Sequence, residues 1–266
     1  MSVLKRACSL FTGNDVSQRL LEYNVKFSHY LMGIGAGTKV STSGELGLVR
    51  MINEHPAERL CVFDVGANVG QFATLIHEQC DNSRIDLHSF EPGREAFSQL
   101  SSKFGETKQV RLNNVALGAE RGTATLYSDV PASGLSSLTK RDLSHFDRSM
   151  ELSQQVDVRT LDDYCDEHDI RHIHLLKIDV EGHEQDVLAG AKRMFVESRI
   201  DAVTFEFGGC NIDSRTYFRD FYQFFRDQGM QLYRITPRGF FRQMPRYREV
   251  HEQFVTTNFL ARKRAA

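Results

Sequence analysis

The densest group of ionisable side chains in the sequence follows a short apolar run, residues 173–178. Asp179, Glu181 and His183 come directly after this run, with Glu184 next. Carboxylates and an imidazole at this spacing are groups that general acid and base catalysis needs within hydrogen-bonding distance of a substrate. His183 is our first candidate for a base because its ordinary pKa of about 6.5 suits proton transfer near neutrality. The alternative is that some of these acids only cap a helix.

A second candidate site lies in the segment 64–70, which reads Asp-Val-Gly-Ala-Asn-Val-Gly. Gly66 and Gly70 permit a tight turn and a close approach of ligand to backbone, and Asp64 places an acceptor beside them. The dinucleotide fingerprint G-x-G-x-x-G would require glycine at Asn68 and Gln71, so a nicotinamide cofactor is disfavoured. The pattern instead suits a ligand with a cationic amine and no pyrophosphate, or a purely structural turn.

Two polar residues at later strand ends extend this site. Glu91 follows the second apolar run, 25 positions after Gly66, where an acid can accept the hydroxyls of an adenosine ribose. Asn114 follows the third run and offers an amide to an adenine ring, although it is equally suited to a turn. Together with the glycine loop, these residues predict a nucleoside site.

The elements that must position these residues alternate between strand and helix from Leu60 onward. The predicted strands are residues 60–64, 85–90, 110–115, 173–178 and 202–207, with a terminal pair at 231–236 and 255–261. The predicted helices are residues 71–79, 94–104, 184–197 and 215–228, and two further strands, 123–127 and 155–158, flank a polar loop. Such alternation predicts a mostly parallel sheet covered on both faces, with ligands at the carboxyl ends of its strands.

Two helical stretches precede this pattern, at residues 16–32 and 43–54, and the glycine-rich segment 33–37 separates them. We expect both to be surface helices that pack on the main domain. The sequence therefore predicts an N-terminal helical extension, residues 1–58, and a main domain, residues 59–266.

The composition of the chain argues against several classes of protein. The 266 residues carry 33 Lys and Arg against 35 Asp and Glu, a net charge of −2, which argues against nucleic acid as a partner. No apolar run approaches the roughly 20 residues that span a bilayer, and no secretory signal is recognised. Five scattered cysteines without C-x-x-C spacing favour a reducing cytoplasm over a disulfide scaffold or zinc site. Homo-oligomerisation stays open.

Residues 60–207 resemble the FkbM-type family of class I methyltransferases, which use S-adenosylmethionine to methylate hydroxyl groups. The block Asp-Val-Glu-Gly-His-Glu at 179–184 is the most specific part of the resemblance. The other matching segments, in the family's order, are residues 62–71, 89–92, 114–118, 133–138 and 159–163.

The resemblance implies a Rossmann-like α/β fold: a mostly parallel seven-stranded sheet with helices on both faces and an antiparallel strand at its end. It also implies methyl transfer to a small-molecule or glycan hydroxyl, in a glycolipid, a polysaccharide or a natural-product scaffold. We assign the cofactor site to Asp64, Gly66, Ala67, Asn68, Gly70, Glu91, Asn114 and Ala116. We assign acceptor binding to Ser136 and Ser137 in the polar loop and to Glu206 at the end of the fifth strand.

Two alternatives stay open. A divalent cation held by Asp179 and a neighbour would bind the acceptor oxygen, and we rank it second to a side-chain base because no close Asp-Asp pair follows the fourth strand. A non-catalytic nucleoside-binding regulator or scaffold is the alternative function, against which the retained acids at three strand ends argue.

Overall fold

The computed structural model describes residues 12–37 and 43–263. Its strands are β1 (Leu60–Val65), β2 (Ile85–Phe90), β3 (Val110–Asn113), β4 (Ala116–Leu117), β5 (Gly122–Ser128), β6 (Leu152–Arg159), β7 (Leu175–Ile178), β8 (Ala202–Phe207), β9 (Met230–Ile235), β10 (Phe241–Gln243) and β11 (Thr257–Lys263). Its α-helices are α1 (Asp15–Met32), α2 (Glu45–Asn53), α3 (Gln71–Gln79), α4 (Arg94–Phe104), α5 (Leu161–Glu167), α6 (Glu184–Ala189), α7 (Lys192–Val196), α8 (Cys210–Asp213) and α9 (Phe218–Asp227).

Within the described residues, the main sheet has eight strands in the order β10-β9-β11-β8-β7-β1-β2-β3. The five strands from β8 to β3 pair in parallel, whereas β11 lies between β8 and β9 and is antiparallel to both. The α/β class and the mostly parallel sheet are therefore confirmed. We predicted seven strands; the additional one is β10, which pairs with β9 as an antiparallel hairpin at the sheet edge.

The strand alternation assigns each residue to one of two sheet faces. On one face, Phe63, Leu176 and Phe205 pack against α5, α6, α7 and α9 in a large apolar cluster. On the other, Val62 and Leu175 pack against α2, α3 and α4. This second face changes character along the strands. It is apolar near their N-terminal ends and charged near their carboxyl ends, because Asp64 and Lys177 stand two residues after those apolar positions.

A separate three-stranded sheet, β4-β6-β5, carries the polar loop. We call residues 129–150, between β5 and β6, the strap. The strap is fastened to the body of the protein, since Arg141 forms ion pairs with Glu181 and Asp213, and the Ser137 hydroxyl donates to the Glu181 carbonyl oxygen at 2.7 Å.

Two expectations about helices are wrong. The single predicted helix at 184–197 is divided into α6 and α7, because the backbone leaves helical geometry at Ala191, with φ −108° and ψ 17°. Helix α1 ends as expected at Gly33, yet none of its side chains is buried among the described residues. It meets the main domain at its C-terminal end, where Arg234 donates to the Met32 carbonyl oxygen at 2.8 Å. Helix α2, in contrast, contributes Leu48, Val49 and Ile52 to the core.

None of the described helices combines the length and the apolar character that crossing a membrane requires.

Candidate functional site

A cleft of about 1120 Å³ opens at the carboxyl ends of β1, β2, β7 and β8. Within the sheet, β2 and β3 lie on one side of β1, and β7 and β8 lie on its other side. Open α/β sheets bind their ligands at such a reversal of strand order. The fold therefore places this cleft where the sequence analysis expected the chemistry.

The turn after β1 forms the floor of the cleft. Gly66 has a φ of +83°, and a Cβ there would lie 1.8 Å from the Asp179 carbonyl oxygen. The N–H groups of Gly66 and Ala67 both donate to the Phe90 carbonyl oxygen, at 3.0 and 2.9 Å. Only glycine permits this turn to approach β7 so closely, and the turn thereby brings the ends of β1, β2 and β7 together.

Glu91 lies in the cleft wall with its side chain almost fully buried. One carboxylate oxygen accepts the Asn68 N–H at 2.8 Å, and the other accepts the Gly93 N–H at 2.7 Å. Burial raises the pKa of Glu91 to about 7, although the two backbone donors act in the opposite direction. Each carboxylate oxygen can accept more than one hydrogen bond, so Glu91 retains capacity for a ligand hydroxyl.

The predicted cofactor residues divide into two groups. Gly66, Ala67, Asn68, Glu91 and Ala116 line the cleft. The other three, Asp64, Gly70 and Asn114, do not line the cleft.

Gly70 is the N-cap residue of α3 and has a φ of +84°. A Cβ there would lie 2.7 Å from the Leu100 side chain, so the glycine allows α3 and α4 to pack closely. The Asn114 amide donates to the carbonyl oxygens of Glu91 and Pro92, at 2.9 and 3.1 Å, and so holds the turn that presents Glu91. Asp64 is fully buried below the cleft and faces Lys177.

Lys177 joins two carboxylates at the charged end of this sheet face. Its ammonium nitrogen lies 3.2 Å from Asp64 Oδ1 and 3.1 Å from Asp179 Oδ2. Burial lowers the pKa of Lys177, but Asp179, Asp64 and Glu45 together raise it above the ordinary value. The lysine is therefore charged, compensates the buried Asp64 and holds the side chain of Asp179 at the cleft.

Glu181 stands two residues further, with an unusual φ of +52°. Arg141, buried in the strap, forms an ion pair with its carboxylate. Burial nevertheless raises the pKa of Glu181 to about 8, because the loss of hydration outweighs the attraction of Arg141. Arg141 thus ties the strap to the loop after β7.

Glu206, from the end of β8, completes a group that we call the carboxylate triad: Asp179, Glu181 and Glu206. One oxygen of each lies within 4.8 Å of the others, so the triad has the composition of a site for a hard cation. Burial and the neighbouring acids raise the pKa of Glu206 well above its ordinary value.

His183 lines the same cleft, with 19% of its side chain exposed. Its Nδ1 is buried and has no hydrogen-bond partner among the described residues, and its Nε2 lies 3.8 Å from Asp186 Oδ2. Burial lowers the pKa of His183, against a smaller opposing effect of Asp186. The imidazole is therefore neutral near pH 7 and able to accept a proton.

The structure brings together all three predicted catalytic residues and all three predicted acceptor residues, since Asp179, Glu181, His183, Ser136, Ser137 and Glu206 line the cleft. Sequence reasoning did not find Arg141, Glu45 and Asp213, which also line it. No local motif marks these residues, because each reaches the cleft from an element outside the strand ends.

The sequence of this chain matches the family model of the methyltransferase FkbM domain over residues 64–232, more than half of its length. The chain belongs to this family. The matched region contains the glycine turn, Glu91, the strap and the carboxylate triad.

Two curated relatives show how far the similarity of this FkbM-domain chain extends. The 2-O-methyltransferase NoeI of Sinorhizobium fredii is 29% identical over 150 residues, which cover 52% of this chain and 60% of that protein. The 31-O-demethyl-FK506 methyltransferase FkbM of Streptomyces tacrolimicus is 32% identical over 155 residues, which cover 49% and 59%. The alignments thus span somewhat over half the length of these relatives.

Among solved structures, a methyltransferase FkbM from Methylobacillus flagellatus aligns with a TM-score of 0.47 and 18% sequence identity, covering 77% of this chain and 44% of that one.

Proposed function

We propose that this chain is an S-adenosylmethionine-dependent O-methyltransferase that acts on a hydroxyl group of a sugar or a natural-product scaffold. One observation carries the proposal. A single cleft holds a nucleoside-type end, with the Gly66 turn and Glu91, and an acid–base end, with His183 and the carboxylate triad. The names of the two relatives, each an O-methyltransferase by its designation, support the same reaction.

The cleft suits S-adenosylmethionine by its donors and acceptors. Glu91 presents a carboxylate for the ribose hydroxyls, and the apolar residues Val115 and Leu117, which also line the cleft, offer contact to an adenine ring. We assign ribose binding to Glu91 and backbone contact to Gly66, Ala67 and Asn68. Asp64 contributes through Lys177, since it does not reach the cleft.

S-adenosylmethionine supplies an electrophilic methyl group on a sulfonium. The chain's own task is therefore to orient an acceptor hydroxyl and to take its proton. We assign proton removal to neutral His183, which lines the cleft and keeps 19% of its side chain exposed there. Ser136, Ser137 and Glu206 are assigned to acceptor binding; of these, the Ser137 hydroxyl already donates to the Glu181 carbonyl oxygen.

Binding at the cofactor site, in the absence of a methyl acceptor, is tested by calorimetric titration with S-adenosylhomocysteine. We expect wild-type protein to bind it, and Glu91→Ala to weaken binding by about 1.5–3 kcal/mol, the loss of hydrogen bonds to a charged acceptor. Glu95→Ala is the matched control, because Glu95 lies four residues further, exposed on α4. A folded Glu91→Ala variant with wild-type affinity would refute the assignment of Glu91.

The reaction is tested with labelled S-adenosylmethionine and a panel of hydroxylated sugars and macrolide-type scaffolds. Transfer of label to an acceptor oxygen would support the proposal. Tight cofactor binding without transfer to any member of a broad panel would favour the non-catalytic alternative instead. The four cysteines within the described residues are free thiols, which agrees with our proposal of a cytoplasmic location.

A further inference from the structure

A second cavity, of about 750 Å³, lies at the opposite end of the sheet from the cleft, and no described residue lines both. We call it the lower cavity. It lies on the sheet face that carries α2, near the N-terminal ends of β1, β7 and β8. Its volume is in the range of pockets that enclose a small organic molecule, about 300–1,000 Å³.

The wall of the lower cavity is apolar because of the strand alternation. Its main wall residues are Ile52, Leu60, Val62, Leu175, Ala202 and Tyr233. All six belong to the same apolar cluster. Ala202 and Val62 are short, and α2 ends at Asn53, so the sheet face is incompletely filled here. The space is partly open to solvent, and its apolar wall suits a hydrocarbon or aromatic body.

One cation at the edge of the cavity lacks a counter-charge. The Arg262 guanidinium lies 4.8 Å from the centre of the Tyr233 ring and 6.0 Å from that of Phe241. It forms no ion pair or hydrogen bond with residues 12–37 or 43–263. The neighbouring Lys263 differs, since its ammonium lies 3.1 Å from Asp201 and donates to the Ser198 carbonyl oxygen at 2.6 Å.

The other charged side chains that line the cavity, Lys263 and Asp201, pair with each other. His172 lies 2.6 Å from Asp201, which already compensates Lys263. Burial lowers the pKa of His174 to about 4, so that ring is neutral near pH 7. Arg262 is therefore the uncompensated charge among the described residues that line the cavity.

A metal ion is a poor occupant, although His172, His174 and Asp201 lie close enough together to hold one. The Cys61 N–H donates to His174 Nδ1 at 3.0 Å. A neutral ring that accepts at Nδ1 carries its proton on Nε2, so neither nitrogen of His174 has a free lone pair for a metal. The positive charge of Arg262, which also lines the cavity, would repel a bound cation.

We propose that the lower cavity binds an amphipathic organic anion, with its apolar body against the Val62–Ala202 wall and its anionic group on Arg262. A medium-chain carboxylate has this chemistry. The site is separate from the cleft, and the proposal does not depend on the methyl-transfer reaction.

The test is calorimetric titration of the full chain with decanoate, and with decanol as an uncharged ligand of the same length. We expect decanoate to bind at least about tenfold more tightly than decanol, because it adds a charge-assisted contact with the guanidinium. Arg262→Gln should remove that tenfold advantage and leave decanol affinity within about twofold. Arg242→Gln, exposed on the neighbouring β10, should leave both affinities unchanged.

A second variant tests the cavity itself. Ala202→Leu should abolish the binding of both ligands by filling the space, while thermal unfolding and S-adenosylhomocysteine titration verify that the fold is intact. If this variant fails to fold, Arg262→Gln still decides.

Three results would overturn the proposal: no binding of decanoate, decanoate binding that Arg262→Gln leaves unchanged, or competition between decanoate and S-adenosylhomocysteine. The second result would place the ligand on another apolar surface such as the exposed α1, and the third would place it in the cleft.

Discussion

Replacing His183 by alanine tests the centre of the proposed chemistry. His183 is the N-cap residue of α6 and lines the cleft, with 19% of its side chain exposed. Its Nδ1 makes no hydrogen bond within the described residues, so alanine removes no structural contact at that atom. Cofactor affinity should therefore be unchanged, because Glu91 and the Gly66 turn stay in place.

The size of the effect follows from the protonation state. Burial holds the pKa of His183 below the ordinary histidine value of 6.5. At pH 7.5 about 90% or more of the imidazole is then neutral, and nearly all of the enzyme carries an active base. General base catalysis typically contributes about 10²–10⁴-fold. We expect kcat to fall by this factor, about 2.7–5.5 kcal/mol in activation free energy.

The assay is kcat against pH at saturating cofactor and acceptor. Activity of the wild type should fall on the acidic side as His183 takes up a proton, with a midpoint below pH 6.5. The variant should lose that limb. Titration of Glu91 and Glu181 is distinguishable, since their pKa values of about 7 and about 8 place it at higher pH.

Two control variants make the result decisive. Asp186→Asn removes the carboxylate whose attraction raises the pKa of His183, so the acidic limb should move to lower pH while kcat at pH 7.5 persists. His77→Ala removes an exposed histidine of α3 and should have no effect. A change of only a few-fold in His183→Ala, with the acidic limb intact, would refute the role and leave Asp179 or Glu181 as the base.

Three further predictions concern the surroundings of the base. Methyl transfer should survive thorough chelation with EDTA if a side-chain base suffices; loss of activity that magnesium restores would identify the carboxylate triad as a cation site. Lys177→Met should lower the free energy of unfolding by about 3–5 kcal/mol, measured with urea, because it leaves Asp64 buried without its cation. Adding Asp64→Asn should recover part of that loss, and no recovery would contradict the pairing. Gly66→Ala should cost at least about 1–2 kcal/mol from the left-handed backbone alone, with a further cost from the contact with β7, and an unchanged melting temperature would count against the turn geometry.

Much of the fold follows from local patterns in the sequence. The apolar runs from Leu60 onward specify buried strands, and their regular alternation with helical segments specifies a parallel sheet. Parallel strands end at one edge, so Glu91, Asp179 and Glu206 had to lie at the same edge whatever the details of packing. For this reason the position of the site was predictable from one sequence.

The roles of individual residues depended on contacts between distant parts of the chain. Asp64 and Lys177 are 113 positions apart, and only the pairing of β1 with β7 shows that the lysine stands between the acid and the cleft. Arg141 reaches Glu181 from the strap, which no spacing rule connects to β7. Electrostatic partners of this kind act over a few ångströms in space, without regard to separation in sequence.

Helix packing shows the same division. Apolar periodicity correctly predicted α1 and α2 as helices, because helix formation reflects nearby residues. Burial of a helix depends on whether a complementary surface lies beside it. The sheet face provides one for Leu48 and Ile52 of α2, whereas the side chains of α1 are not buried within the described residues. The sequence thus determined the elements and the edge at which the polar residues gather, and the tertiary structure decided which of those residues face the cleft and which are held by a partner.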